Sequence, residues 1–92
     1  MPNYQVSCIN RANHTDPHLR IQYIGGVNNG QRWKITIADA IYGMRNSQWA
    51  FYVYEGNHIA WLIIAEHNKR EYLKTQNDGL HPDNLLSLQE CP

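Results

Sequence analysis

The sequence predicts an α+β domain: a mostly antiparallel sheet of about five strands with one short helix packed on one face. Three observations lead there. Short runs alternate apolar and polar residues, beginning with Tyr4–Ile9 and Leu19–Ile24. One helix has a marked start, with Thr36 at the N-cap and Asp39 three residues later. Ten Asn and six Gly punctuate the runs, and both residue types tolerate the positive φ of tight hairpin turns.

The size and charge of the chain narrow the function classes. Its 92 residues make a single domain spanning residues 1–92. Hydrophobic residues are 42% and charged residues 17%, a globular composition. Eight basic side chains balance eight acidic ones. A protein that grips bare phosphate backbone carries a clear positive excess, and this chain has none. The longest apolar run, Ile59–Ala65, has seven residues, far short of the roughly 18–20 that cross a bilayer. No membrane partner is expected. Neither a basic nor an apolar segment follows Met1, so the expected compartment is the cytoplasm.

Each element has its own signal. Tyr4–Ile9 reads as one strand, and the polar stretch Asn10–His18, with Pro17, reads as a loop. Leu19–Ile24 reads as a second strand that Gly25-Gly26 ends, followed by a sharp turn at Asn28-Asn29-Gly30. Trp33-Lys34-Ile35 is a short extended lead into the helix, whose Ile37, Ala40, Ile41 and Met44 share one face. Gly43 weakens that helix by roughly 1 kcal/mol relative to Ala. Trp49–Glu55 and His58–His67 form a hairpin about Gly56-Asn57. Its register sets Glu55 opposite His58, Tyr52 opposite Trp61 and Phe51 opposite Leu62. A turn at Asn68-Lys69 leads to a strand at Tyr72–Thr75, although a two-residue turn there sets Glu66 against Glu71. Asn77-Asp78-Gly79 turns again. The tail with Leu85, Leu86 and Leu88 lies over a core edge.

The C-terminal run carries a family resemblance. Tyr72-Leu-Lys-Thr75, Asp78-Gly79 and Asp83-Asn84-Leu85-Leu86-Ser87-Leu88-Gln89-Glu90-Cys91 resemble the ending of the bacterial family known as domain of unknown function 3892. That ending runs Tyr-Leu-x-Thr, an Asp-Gly turn, Asn-Asn-Leu, then Leu-Pro-x-Cys. Upstream, Ser7-Cys8-Ile9-Asn10, His18-x-x-Ile21, Ile24-Gly25-Gly26, Trp33 and Phe51-Tyr52-Val53 fit the same pattern. Asp83 and Gln89 depart from it, standing where the family tends to have Asn and Pro. The resemblance spans nearly the whole chain and implies a small bacterial or phage-associated domain. It implies no activity.

Few residues point to chemistry. Cys8 and Cys91 sit beside strand-like or apolar residues near the two ends. Two buried thiols are the expectation, because free Cys is commonly buried and the cytosol keeps thiols reduced. A disulfide and metal ligation are the alternatives. His14, His18, His58, His67 and His81 show no zinc-ligand spacing, so no metal and no cofactor are expected. There is no nucleophile elbow and no phosphate-cradling loop, and the chain is read as not an enzyme.

The central hairpin is apolar on both faces. Trp49, Phe51, Val53, Ala60, Leu62 and Ile64 alternate with Ala50, Tyr52, Tyr54, Ile59, Trp61 and Ile63. One short helix covers one face only. The other is covered by the N-terminal strands or the leucine tail, or it is a contact surface. Tyr and Trp bury much area for few rotatable bonds and so suit interfaces. The expected function is a small non-catalytic interaction module that binds a protein partner or a second copy through Tyr52, Tyr54 and Trp61. Arg70 and Lys74 stand at the rim. The alternative is nucleic-acid binding by the same aromatics with the Lys69-Arg70 turn.

Overall fold

Alternation in the central hairpin organises the structure. The computed structural model describes residues 2–11, 20–55, 57–76 and 83–91. Strands β5 (Ala50–Glu55) and β6 (His58–His67) pair antiparallel, with Glu55 opposite His58 and Tyr52 opposite Trp61, as the sequence predicts. Phe51, Val53, Ala60 and Leu62 are buried on one side. β7 (Arg70–Thr75) pairs with β6 across a two-residue turn in which Asn68 and Lys69 both have positive φ. Glu66 and Glu71 do stand opposite each other. Arg45 pairs with the Glu71 carboxylate and offsets the repulsion.

The single five-stranded sheet is corrected to two four-stranded sheets, and the α+β class stands. β1 (Asn3–Gln5) pairs parallel with β5, giving the order β1-β5-β6-β7. In the second sheet, β2 (Cys8–Arg11) pairs antiparallel with β3 (Ile21–Asn28), which pairs antiparallel with β4 (Gln31–Thr36). The short strand β8 (Gln89–Glu90) lies parallel to β2, so the order is β4-β3-β2-β8. The run read as one strand, Tyr4–Ile9, is thus split. The Val6 amide donates to the Tyr52 carbonyl in the first sheet, and the next amide, Ser7, donates to Gly25 in the second.

Gly25-Gly26 do not end a strand; they sit inside β3. A Cβ on Gly25 would lie 2.7 Å from the Trp33 carbonyl oxygen and within 3.2 Å of both Cys8 Sγ and Cys91 Sγ. A Cβ on Gly26 would lie 2.3 Å from the Gln5 carbonyl oxygen. The glycines let two strands and a disulfide approach β3 closely, a use of glycine that sequence alone does not separate from a turn.

Helix α1 (Ile37–Arg45) begins as predicted, with Thr36 Oγ1 accepting from the Asp39 amide at 3.1 Å. Its Ala40 and Ile41 join Val6, Ile9, Ile24, Phe51, Val53, Leu62, Leu73 and Leu85 in one core fed by both sheets. Gly43 has a packing reason. A Cβ there would fall 2.1–2.4 Å from the Trp49 indole, whose Nε1 donates to the Ala40 carbonyl.

The tail is built, not merely laid over an edge. Helix α2 (Asp83–Leu86) precedes β8, and Leu85 is fully buried. Asn84 Nδ2 donates to Thr75 Oγ1 on β7, and the Cys91 amide donates to the Ile9 carbonyl on β2. A register shift between Asn10 and Arg11 re-aims the Arg11 side chain. Its guanidinium donates to the Leu86 and Leu88 carbonyls and pairs with Glu90 at 2.8 Å. The expectation of two free thiols is corrected: Cys8 and Cys91 are disulfide-bonded, with Cα atoms 4.9 Å apart. Parallel pairing of β2 with β8 brings them together. His14, His18, His81, Leu19, Gly56 and the turn at Asn77-Asp78-Gly79 lie outside the described residues.

Three outcomes follow. Gly43→Ala, which in an open helix gains roughly 1 kcal/mol, is expected to destabilise by about 1–3 kcal/mol through overpacking against Trp49, as urea unfolding will read. Cys91→Ser is expected to cost several kcal/mol, up to about 4–5 on the chain-entropy account, and to make the unfolding midpoint insensitive to reductant. The hydrogen bond from Arg11, then that from Asn10, holds the Glu90 carboxyl below its ordinary value. A depressed carboxyl stabilises above the unfolded-state pKa and ceases to as pH falls through the folded value. The protection factor of the Cys91 amide, the intrinsic exchange rate divided by the observed rate at each pH, is therefore expected to fall on acidification through that window, and Glu90→Gln to abolish the step.

Candidate interaction surface

The outer side of β5 and β6 is where strand alternation leaves apolar rings uncovered. Directly opposed residues share a face, so the pairs Tyr52–Trp61 and Tyr54–Ile59 project together, away from Phe51 and Val53. Tyr54 is 52% exposed, Ile59 43%, Ile63 38% and Trp61 37%. Tyr52 is half-buried between its neighbours. Its ring meets Tyr54 edge-on at 5.7 Å and Trp61 at 5.6 Å. Such edge contacts are favourable for aromatic quadrupoles and hold the three rings as one unit. Among the described residues, neither the N-terminal strands nor the leucine tail covers them. Both are spent on the inner face and on the second sheet.

The predicted rim divides. Lys74 stands opposite Ile63, on the same outward row, and is half-buried with a partner of its own. Arg70 stands opposite His67, six positions from Trp61 along β6. At strand rise that is about 20 Å. Arg70 instead borders a cavity with Tyr42, Arg45 and Glu71. Tyr72, outward by parity but buried, closes the face at that end. The patch is therefore the β5–β6 portion, apolar and aromatic, with one lysine near it.

Among the described residues, no group of three or more His, Cys, Asp or Glu could hold a metal ion, and no helix is long and apolar enough to cross a membrane. A second aromatic group escaped the sequence reading. Tyr4, Trp33, Trp49 and Phe51 line a cleft of about 310 Å³ at one end of the two sheets. They come from three separate segments. The one hint was the presence of three Trp in 92 residues.

The residues that carry the resemblance have structural positions to match. Asn84 ties the tail to β7, Cys91 bonds Cys8, and Gln89 opens an edge strand, where a proline also fits. No curated protein and no solved structure matches the chain. Residues 5–89 match the family described as a protein of unknown function, DUF3892, and the chain belongs to that family.

Proposed function

We propose that this chain is a small non-catalytic interaction module whose contact surface is the outer face of β5–β6, and that a second copy of the chain meets it there. The observation that carries this reading is the unit of Tyr52, Tyr54 and Trp61, flanked by exposed Ile59 and Ile63. An antiparallel sheet can leave one face in water when that face is polar. This one is apolar, and a contiguous apolar patch on a small domain marks a contact site. A two-fold face-to-face packing needs one surface only, because the same patch serves on both copies. Zero formal charge removes the long-range repulsion between copies. Cys8 and Cys91 are held in a disulfide, which leaves no free thiol nucleophile and supports a non-catalytic reading. Lys69 and Arg70 lie at the far turn, so little positive charge stands beside the rings and nucleic-acid stacking is the weaker reading.

Sedimentation of the wild-type protein and of Trp61→Ala, across concentration and at two salt levels, tests this. The wild type is expected to dimerise with little salt dependence. Trp61→Ala is expected to weaken the dimer by more than tenfold, as central aromatic anchors do, while unfolding within about 1 kcal/mol of wild type, as suits a partly exposed residue. A wild type that remains monomeric at millimolar concentration would overturn the second-copy reading. Equal loss of folding and association would make Trp61 a core residue. Binding to single-stranded nucleic acid that collapses with salt would put the alternative in its place.

A further inference from the structure

We infer that the cleft between the two sheets is a binding site for a small planar aromatic acid, a flat ring system carrying one carboxylate. The site is separate from the outer face of β5–β6 and does not depend on it.

The walls are rings held from behind. Trp33 and Phe51 stack at 5.5 Å with 26° between their planes. Tyr4 meets Trp33 at 5.7 Å, and Trp49 meets Phe51 at 6.1 Å. Each tryptophan rests on a glycine. Gly26 lies under Trp33, where a Cβ would come within 3.2 Å of Nε1, and Gly43 lies under Trp49, where a Cβ would overlap the indole. Trp49 is further fixed by its bond to the Ala40 carbonyl. The rings are therefore set in position without a ligand, which reduces the ordering cost of binding. The volume of about 310 Å³ is at the lower end for small-molecule sites, roughly 300–1,000 Å³. That volume admits a two-ring molecule.

The charge in the lining sets the sign of the ligand. Among the described residues, Arg32 is the one charged side chain lining the cleft, beside the neutral amides of Asn28 and Gln31. The other cations of this sheet are engaged: Arg11 with Glu90, and Lys34 over the Tyr23 ring at 5.1 Å. The Arg32 side chain makes no ion pair or hydrogen bond among the described residues. A cationic ligand would meet repulsion and no carboxylate. A carboxylate matches the forked guanidinium, which binds it through two parallel hydrogen bonds.

The test uses 2-naphthoate, with neutral 2-naphthamide as its isostere, and follows the three tryptophan indole N–H resonances by NMR. Trp61, on the opposite side of the first sheet, is the internal control. Naphthoate is expected to shift the Trp33 and Trp49 signals saturably and to leave Trp61 in place. Arg32→Gln, at an exposed position that no core contact uses, is expected to weaken naphthoate by roughly tenfold or more and to leave naphthamide unchanged. Shifts confined to Trp61, or none at any indole up to the solubility limit, would overturn the site. Equal binding of naphthoate and naphthamide, unaffected by Arg32→Gln, would overturn its anion preference.

Discussion

Two adjacent amides, those of Val6 and Ser7, hold the two sheets in one frame. The first is bonded into the sheet of β5 and the second into the sheet of β3. Consecutive residues of an extended chain point to opposite sides, so a segment that changes partner between them must lie where the two sheets converge. Val6 is buried at that seam and belongs to the shared core. Gly25 and Gly26 are the condition for it. A side chain at either would push β3 from the N-terminal segment or from the disulfide. A second crossing lies at the other end of the chain. Asn84 fastens the tail to β7, while β8, Arg11 and Cys8 fasten it to β2.

Placed on this frame, one strand serves two aromatic surfaces. Phe51 faces inward to Trp33 and Trp49, and the next residue, Tyr52, faces outward to Tyr54 and Trp61. The inner rings are backed by glycines and border a cleft with one cation. The outer rings form an open face with almost no charge. Ring type is the same on both sides, but the chemistry differs. A concave aromatic wall beside a guanidinium selects a small acid, and a flat aromatic face selects another apolar surface.

Local signals in the sequence were strong wherever neighbours in the chain are neighbours in space. The helix start at Thr36, the hairpin register and the two-sided apolar pattern of β5 and β6 all follow from residues a few positions apart. Long-range matters were hidden. Nothing local in Tyr4–Ile9 shows that it divides between sheets, because an alternating run looks the same in one sheet or two. Gly25-Gly26 carry the signature of a turn when their real use is close approach. The pairing of Cys8 with Cys91 depends on a parallel strand of two residues, too short for any periodicity. Of the surface residues, Tyr52, Tyr54 and Trp61 could be grouped by register, whereas Arg70 could not be placed until the turn at Asn68-Lys69 set where it falls. The inner cleft was illegible because its walls come from three segments.

The bond between Cys8 and Cys91 also constrains when this fold can be completed. Its second sulfur lies beyond every strand of both sheets. As the chain leaves the ribosome, the central hairpin and the β3–β4 pair can form early, from near neighbours. The edge of the second sheet beside β2 must wait open until β8 and Cys91 emerge. Until then Cys8 has no Cys91 to bond and stands next to an unpaired strand edge. The covalent ring closes only after β1 to β8 have all been synthesised.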